Sequence, residues 1–174
     1  MSTKPVTSHF PYVLMLGAVW GFAEAALGAG LSACASFVSG SIMTAVALFF
    51  ISTAWVLTRR VISLVLVVTV VSLMKMFDAA LLSLPIRDGA VANPIFAFWT
   101  EVFAFLMIIA VMRTTFSQRR AGQAVLGGLS ALLAVNMFPL VKYATGIPAC
   151  VVPGTSYPLS LYYAPIAIGL SLLT

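Results

Sequence analysis

Long apolar segments separated by short polar joints run along the whole chain. The segments cover residues 10–37, 42–58, 61–82, 94–112, 121–145 and 158–174. A helix needs about 20 predominantly apolar residues to cross a hydrocarbon layer roughly 30 Å thick. The pattern predicts an all-α integral membrane protein, a single transmembrane domain built as a bundle of about six helices. The sequence leaves open whether the last helix is complete.

Three local signals set the expected helix boundaries. The run Ser39-Gly40-Ser41 is expected to end the first segment, and Asn93-Pro94 is expected to supply the N-cap and first residue of the fourth helix. Pro139 removes a backbone hydrogen bond inside the fifth segment, so we expect a kink in the helix there.

The composition supports a membrane environment. Hydrophobic residues make up 62% of the chain and charged residues 7%, with a mean hydropathy of +1.13. A soluble domain of 174 residues needs far more polar surface. The net charge of +5 is not gathered on one aromatic-interleaved face, so no nucleic-acid partner is expected. The lipid bilayer is the expected surrounding.

Basic residues at the ends of the segments predict the orientation. Joints on one side carry six of them and those on the other side carry only Arg87, which is followed by Asp88. Basic residues favour the cytoplasmic side. Both termini are therefore expected in the cytoplasm, in a multi-pass protein of a bacterial or archaeal inner membrane. The six residues are Lys4, Arg59, Arg60, Arg113, Arg119 and Arg120.

Charged residues inside the predicted spans are the main candidates for function. Each costs at least roughly 2.5–3.5 kcal/mol near the middle of a bilayer, so such residues usually face a bundle interior. With the predicted topology they collect in the outer half of the bundle. Two interpretations stay open: ion pairs that fix helix packing, or an outward-facing pocket for a small polar or zwitterionic solute. The candidate ligand-binding residues are Glu24, Lys75, Asp78, Trp99, Glu101, Asn136, Lys142 and Tyr143.

The first segment carries small residues at every fourth position: Gly17, Gly21, Ala25 and Ala29. Small residues at this spacing let two helix backbones approach closely. The pattern predicts a docking ridge for a partner membrane subunit, or equally a close contact inside the bundle.

Both cysteines fall on the predicted outer side. Cys34 lies at the top of the first segment, and Cys150 lies in the proline-containing joint before the last one. A disulfide would join this joint to the first helix. Two free thiols are the alternative.

Motifs for catalysis and for metal or cofactor binding are absent from the sequence. It contains one histidine, His9, and neither a Walker A, GxSxG or HExxH motif nor a cluster with metal-ligand spacing. We therefore expect no enzyme activity, no metal and no cofactor.

The chain resembles the substrate-capture components of energy-coupling factor transporters in four features taken together. These are six short spans, cytoplasmic termini, proline-rich outer joints and the ridge Gly17, Gly21, Ala25 and Ala29. The resemblance implies a solute site near the outer face and docking of a coupling subunit on the first helix. It favours a membrane transport subunit that binds a small solute. A non-catalytic accessory subunit of a membrane complex and a proton- or ion-translocating protein are the alternatives.

Overall fold

The computed structural model describes residues 10–29, 37–112, 120–147 and 149–173. Helices dominate these ranges, and the regular part of the fold is all-α, as predicted. In chain order the helices are α1 (Phe10–Ala29), α2 (Phe37–Thr58), α3 (Val61–Leu81), α4 (Gly89–Val111), α5 (Arg120–Met137), a 3-10 turn (Phe138–Leu140), α6 (Val141–Thr145) and α7 (Leu159–Ser171).

Five of the described helical segments are long and apolar enough to cross a membrane. They are α1, α2, α3, α4 and the continuous stretch Ala121–Thr145, which joins α5 to α6 through the 3-10 turn. Pro139 lies in that turn, where the sequence predicts a kink. Helix α7 has 13 residues and is therefore about 20 Å long, shorter than a typical span.

The boundary between the first two segments differs from the prediction. Ser39-Gly40-Ser41 does not break a helix but lies inside α2. Gly40 packs against the ring of Tyr163 in α7 so closely that an added Cβ would lie 2.6 Å from Cε1. The Ser41 hydroxyl donates to the Tyr163 carbonyl oxygen at 3.3 Å. These small residues allow α2 and α7 to cross closely. They are therefore part of α2 and do not form a turn.

The start of α4 also differs from the prediction. The N-cap is Asp88, whose carboxylate accepts a hydrogen bond from the Ala90 amide at 2.8 Å. Pro94 therefore lies inside the helix and not at its first position. An N-capping carboxylate satisfies an amide that the first turn leaves without a partner, and this starts the helix five residues earlier than the Asn93-Pro94 pair suggested.

Among the described helices, α1 packs most extensively against α3. The two halves of the bundle differ in polarity. The half that contains the start of α1 has an apolar core with Leu48, Ile51, Val67 and Phe105 fully or almost fully buried. Trp20 is completely buried above this core. Its ring stacks on Phe50 and meets the edge of Phe98, with ring centroids 6.3 Å and 5.3 Å apart.

Candidate functional site

A cavity of about 450 Å³ lies at the end of the bundle where α1 and α3 end and where α2, α4 and α7 begin. Its polar lining comes from four of the predicted residues, Glu24, Lys75, Asp78 and Glu101, together with Thr44, Asn93, Ser160 and Tyr163. Its apolar lining includes Met43, Phe98, Phe138 and Leu159. Binding cavities for small molecules commonly have volumes of about 300–1,000 Å³ and mostly apolar walls with a few polar groups.

Two carboxyl groups lie deep in this cavity. The exposed fraction is 2% for Glu24 and 5% for Glu101. Trp20 Nε1 donates a hydrogen bond to Glu24 Oε1 at 3.3 Å, and Thr44 hydrogen-bonds the carboxyl group of Glu101. The Oε2 atom of each glutamate is buried without a hydrogen-bond partner among the described residues. Each carboxyl group is thus held at one oxygen and unsatisfied at the other.

Lys75 and Asp78 lie one helical turn apart on α3 and are partly exposed at the cavity. Lys75 interacts electrostatically with Glu24, and Glu24 interacts with Glu101. In the described ranges, however, no lysine or arginine nitrogen comes within the 4.0 Å of a carboxylate oxygen that defines a salt bridge. The ion pairs considered from the sequence are therefore not formed between described residues.

Four of the sequence-predicted residues lie away from the cavity. Trp99 is 42% exposed and follows Phe98 on another face of α4. Asn136 is exposed, and its side-chain amide donates to the Leu132 carbonyl oxygen at 2.7 Å. Lys142 and Tyr143 are both exposed, with Lys142 Nζ 4.8 Å from the centre of the Tyr143 ring. The sequence predicts how deep these four residues lie along the bundle, but it does not predict the direction in which each side chain points.

Three polar residues of the cavity are not predicted as site residues from the sequence: Thr44, Asn93 and Ser160. Asn93 is predicted from the sequence as a helix cap, and its Oδ1 atom is buried without a hydrogen-bond partner among the described residues, as is the Oγ atom of Ser160. The spacing of cavity residues is a signal that the sequence does contain. Phe98 and Glu101 are three residues apart, and so are Ser160 and Tyr163. Residues at this spacing share a helix face.

The small-residue ridge of α1 faces α3. A Cβ at Gly17 would lie 2.8 Å from Val70 Cβ, and one at Gly21 would lie 2.5 Å from Met74 Sδ. These two glycines make the close contact inside the bundle that the sequence left as the alternative to a docking ridge. Ala25 lines the cavity, and the side chain of Ala29 lies outside the described part.

A short hairpin precedes α7 and borders the cavity. The Val152 amide donates to the Tyr157 carbonyl at 2.9 Å, and the Leu159 amide donates to the Cys150 carbonyl at 2.9 Å. Cys150 lines the cavity and is disulfide-bonded. Cys34 lies outside the described residues, so the pairing of the two cysteines stays a prediction.

The described residues contain no group of three or more His, Cys, Asp or Glu side chains that could hold a metal ion. Comparisons with protein-family models, with characterised proteins and with solved structures found no match to this chain.

Proposed function

We propose that this chain is a multi-pass membrane transport protein, or a subunit of one, that binds a small solute in the cavity between α1, α3, α4 and α7. The observation that carries the proposal is the set of unpartnered oxygens at the cavity, on Glu24, Asn93, Glu101 and Ser160. Buried polar atoms are nearly always hydrogen-bonded. A bound solute with suitable polar groups would supply hydrogen-bond partners for all four.

The proposed orientation follows from the basic residues. The joint Arg59-Arg60 and Arg120, the first residue of α5, lie at the end of the bundle opposite the cavity. Because basic residues favour the cytoplasm, the cavity faces the outer side of the membrane. The large apolar side chains exposed along the helices, such as Phe22, Leu73 and Phe103, then face lipid.

The apolar core between Trp20 and the cytoplasmic end supports a site that a solute enters only from the outer side. Between Glu24 and the cytoplasmic end, the described interior consists mainly of buried aromatic and aliphatic side chains such as Phe50, Leu64 and Phe105. A polar solute in the cavity does not pass through this core without a rearrangement of the bundle. Such a one-sided site suits a capture subunit that works with a partner, as the resemblance to energy-coupling factor components implies.

The partner surface in this proposal is not the small-residue ridge. Gly17 and Gly21 are covered by Val70 and Met74, so a coupling subunit has to dock elsewhere. The neighbouring carboxyl groups of Glu24 and Glu101 favour ion or proton translocation as a second candidate, because such pairs serve as relays in membrane proteins. The apolar core beneath them places that candidate second.

The proposal can be tested by filling the cavity. Ala97 lines it, whereas Ala110, on the same helix, is exposed near the other end. Protein with Ala97→Phe and, as a matched control, Ala110→Phe would be extracted gently and examined by native mass spectrometry. We expect a co-purified small molecule on the unmodified protein and on Ala110→Phe, and its loss from Ala97→Phe. Equal solute occupancy in both variants, or none in the unmodified protein, would contradict the proposal.

A further inference from the structure

The charges that face the cavity are predominantly negative. From every described element around it, the ionisable side chains are the carboxyl groups of Glu24, Asp78 and Glu101, the ammonium group of Lys75 and the phenol of Tyr163. The two glutamates are the most deeply buried of the carboxyls, and Lys75 does not form a salt bridge with either. Burying carboxylates without a paired positive charge is costly. Lys75 alone does not balance three carboxyl groups, so a positively charged ligand would stabilise the site.

The unsatisfied atoms at the cavity are chiefly hydrogen-bond acceptors. In the carboxylate form Glu24 Oε2 and Glu101 Oε2 accept hydrogen bonds, as does Asn93 Oδ1, whereas the Ser160 hydroxyl can both accept and donate. The two donors already present, Trp20 Nε1 and the Thr44 hydroxyl, are engaged by the other glutamate oxygens. A ligand that complements this arrangement therefore brings N–H donors. An ammonium group supplies up to three of them together with a positive charge.

The walls around the carboxyl groups are apolar and partly aromatic. Phe98, Phe138 and Tyr163 line the cavity together with Met43 and Leu159. Aromatic faces attract cations, and aliphatic side chains favour an apolar ligand body. A cavity of about 450 Å³ is also far larger than a bare inorganic cation needs.

We infer that the solute is an organic ammonium ion: an amine that retains at least one N–H, held between the carboxyl groups of Glu24 and Glu101, with an apolar body against Phe98, Phe138 and Tyr163. This inference rests on the proposed solute-binding function and names the chemical class that the same cavity takes. It narrows the polar or zwitterionic solute expected from the sequence to a cation.

A series of four compounds with one common body tests the charge and the donors separately. Phenethylamine carries an ammonium with N–H donors, and phenethyltrimethylammonium carries the charge without them. Phenethyl alcohol is neutral, and hydrocinnamate is an anion. Binding of each to the detergent-purified full-length protein would be measured by isothermal titration calorimetry. We expect phenethylamine to bind at least about tenfold more tightly than the other three.

Substitution of the two glutamates tests whether phenethylamine binds at their carboxyl groups. Glu24→Gln and Glu101→Gln keep the side-chain size and remove the charge, and each should weaken phenethylamine binding by about tenfold to a hundredfold, the range for a charge-assisted hydrogen bond. Lys142→Gln is the control, because Lys142 is exposed and away from the cavity. It should leave the affinity unchanged. A melting curve of each variant separates lost binding from lost folding.

Each contrary result overturns the inference in a recognisable way. If phenethyl alcohol or hydrocinnamate binds as tightly as phenethylamine, or if the glutamine variants bind phenethylamine normally, the ammonium assignment is overturned. Equal binding of the trimethyl compound overturns the requirement for N–H donors. If none of the four binds, the inference is overturned, while the solute-binding function itself is judged by the co-purified solute and the Ala97→Phe variant.

Discussion

A methyl group added at Gly17 tests whether the small residues of α1 serve contact with α3 or are left for a partner. In Gly17→Ala, the new Cβ would lie 2.8 Å from Val70 Cβ, 2.9 Å from Val70 Cγ1 and 3.1 Å from the Val67 carbonyl oxygen. A β-branched valine in a helix has one strongly preferred rotamer and cannot swing aside. The two helices therefore have to move apart, and overpacking of this kind costs about 1–3 kcal/mol.

The same substitution also brings a gain, which a second variant isolates. Alanine is favoured over glycine inside a helix by about 0.5–1 kcal/mol. At Gly169 in α7 an added Cβ meets nothing within 4 Å, so Gly169→Ala should show this gain without a clash. The free energy of unfolding should therefore be about 1–3 kcal/mol lower for Gly17→Ala than for Gly169→Ala.

The comparison would be made by reversible unfolding of the purified protein in mixed micelles, followed by circular dichroism. If Gly17→Ala is as stable as Gly169→Ala, the α1–α3 contact is not as close as described. The ridge would then again be a candidate surface for a partner subunit.

Three further predictions concern the site and the ends of helices. Trp20→Phe keeps the aromatic packing but removes the donor to Glu24, so phenethylamine binding should weaken about twofold to tenfold in calorimetry; an unchanged affinity would mean that Trp20 does not position the carboxyl group. Asp88→Ala removes the N-cap of α4 and should lower the free energy of unfolding by about 1 kcal/mol, whereas Asp88→Ser should retain most of it. Gly40→Ala brings a Cβ against the rigid ring of Tyr163 and should lower the stability by about 1–3 kcal/mol; a melting temperature equal to that of the unmodified protein would argue against the close crossing of α2 and α7.

The helical segments could be predicted from the sequence because their signal is local. The apolar run predicted at 61–82 forms α3 over Val61–Leu81, with Arg60 immediately before it. The boundary at Ser39-Gly40-Ser41 could not be predicted in the same way. Whether a glycine ends a helix or admits a neighbour depends here on Tyr163, more than 120 residues further along the chain.

The sequence predicts how deep in the bundle the site residues lie, but not the direction in which their side chains point. Counting residues along each span predicts Glu24, Lys75, Asp78 and Glu101 in the outer half of the bundle, and the cavity includes all four. The same counting included Trp99, although residues two apart on a helix do not face each other, so Trp99 and Glu101 point in different directions. Lys142 follows the 3-10 turn that contains Pro139, and the proline does not indicate in which direction the side chains after the turn point.

The close contact between α1 and α3 has a consequence for how the bundle can open. A slip of α1 along α3 by one turn would bring Val13 to the place of Gly17, where not even a methyl group fits. The two helices therefore move as one body, and Glu24 travels with Lys75 and Asp78. Glu101 belongs to α4 and is free of that constraint. An opening of the bundle would thus change the separation of Glu24 from Glu101. In the proposed function, capture and release of the solute would both be movements of one carboxyl group relative to the other.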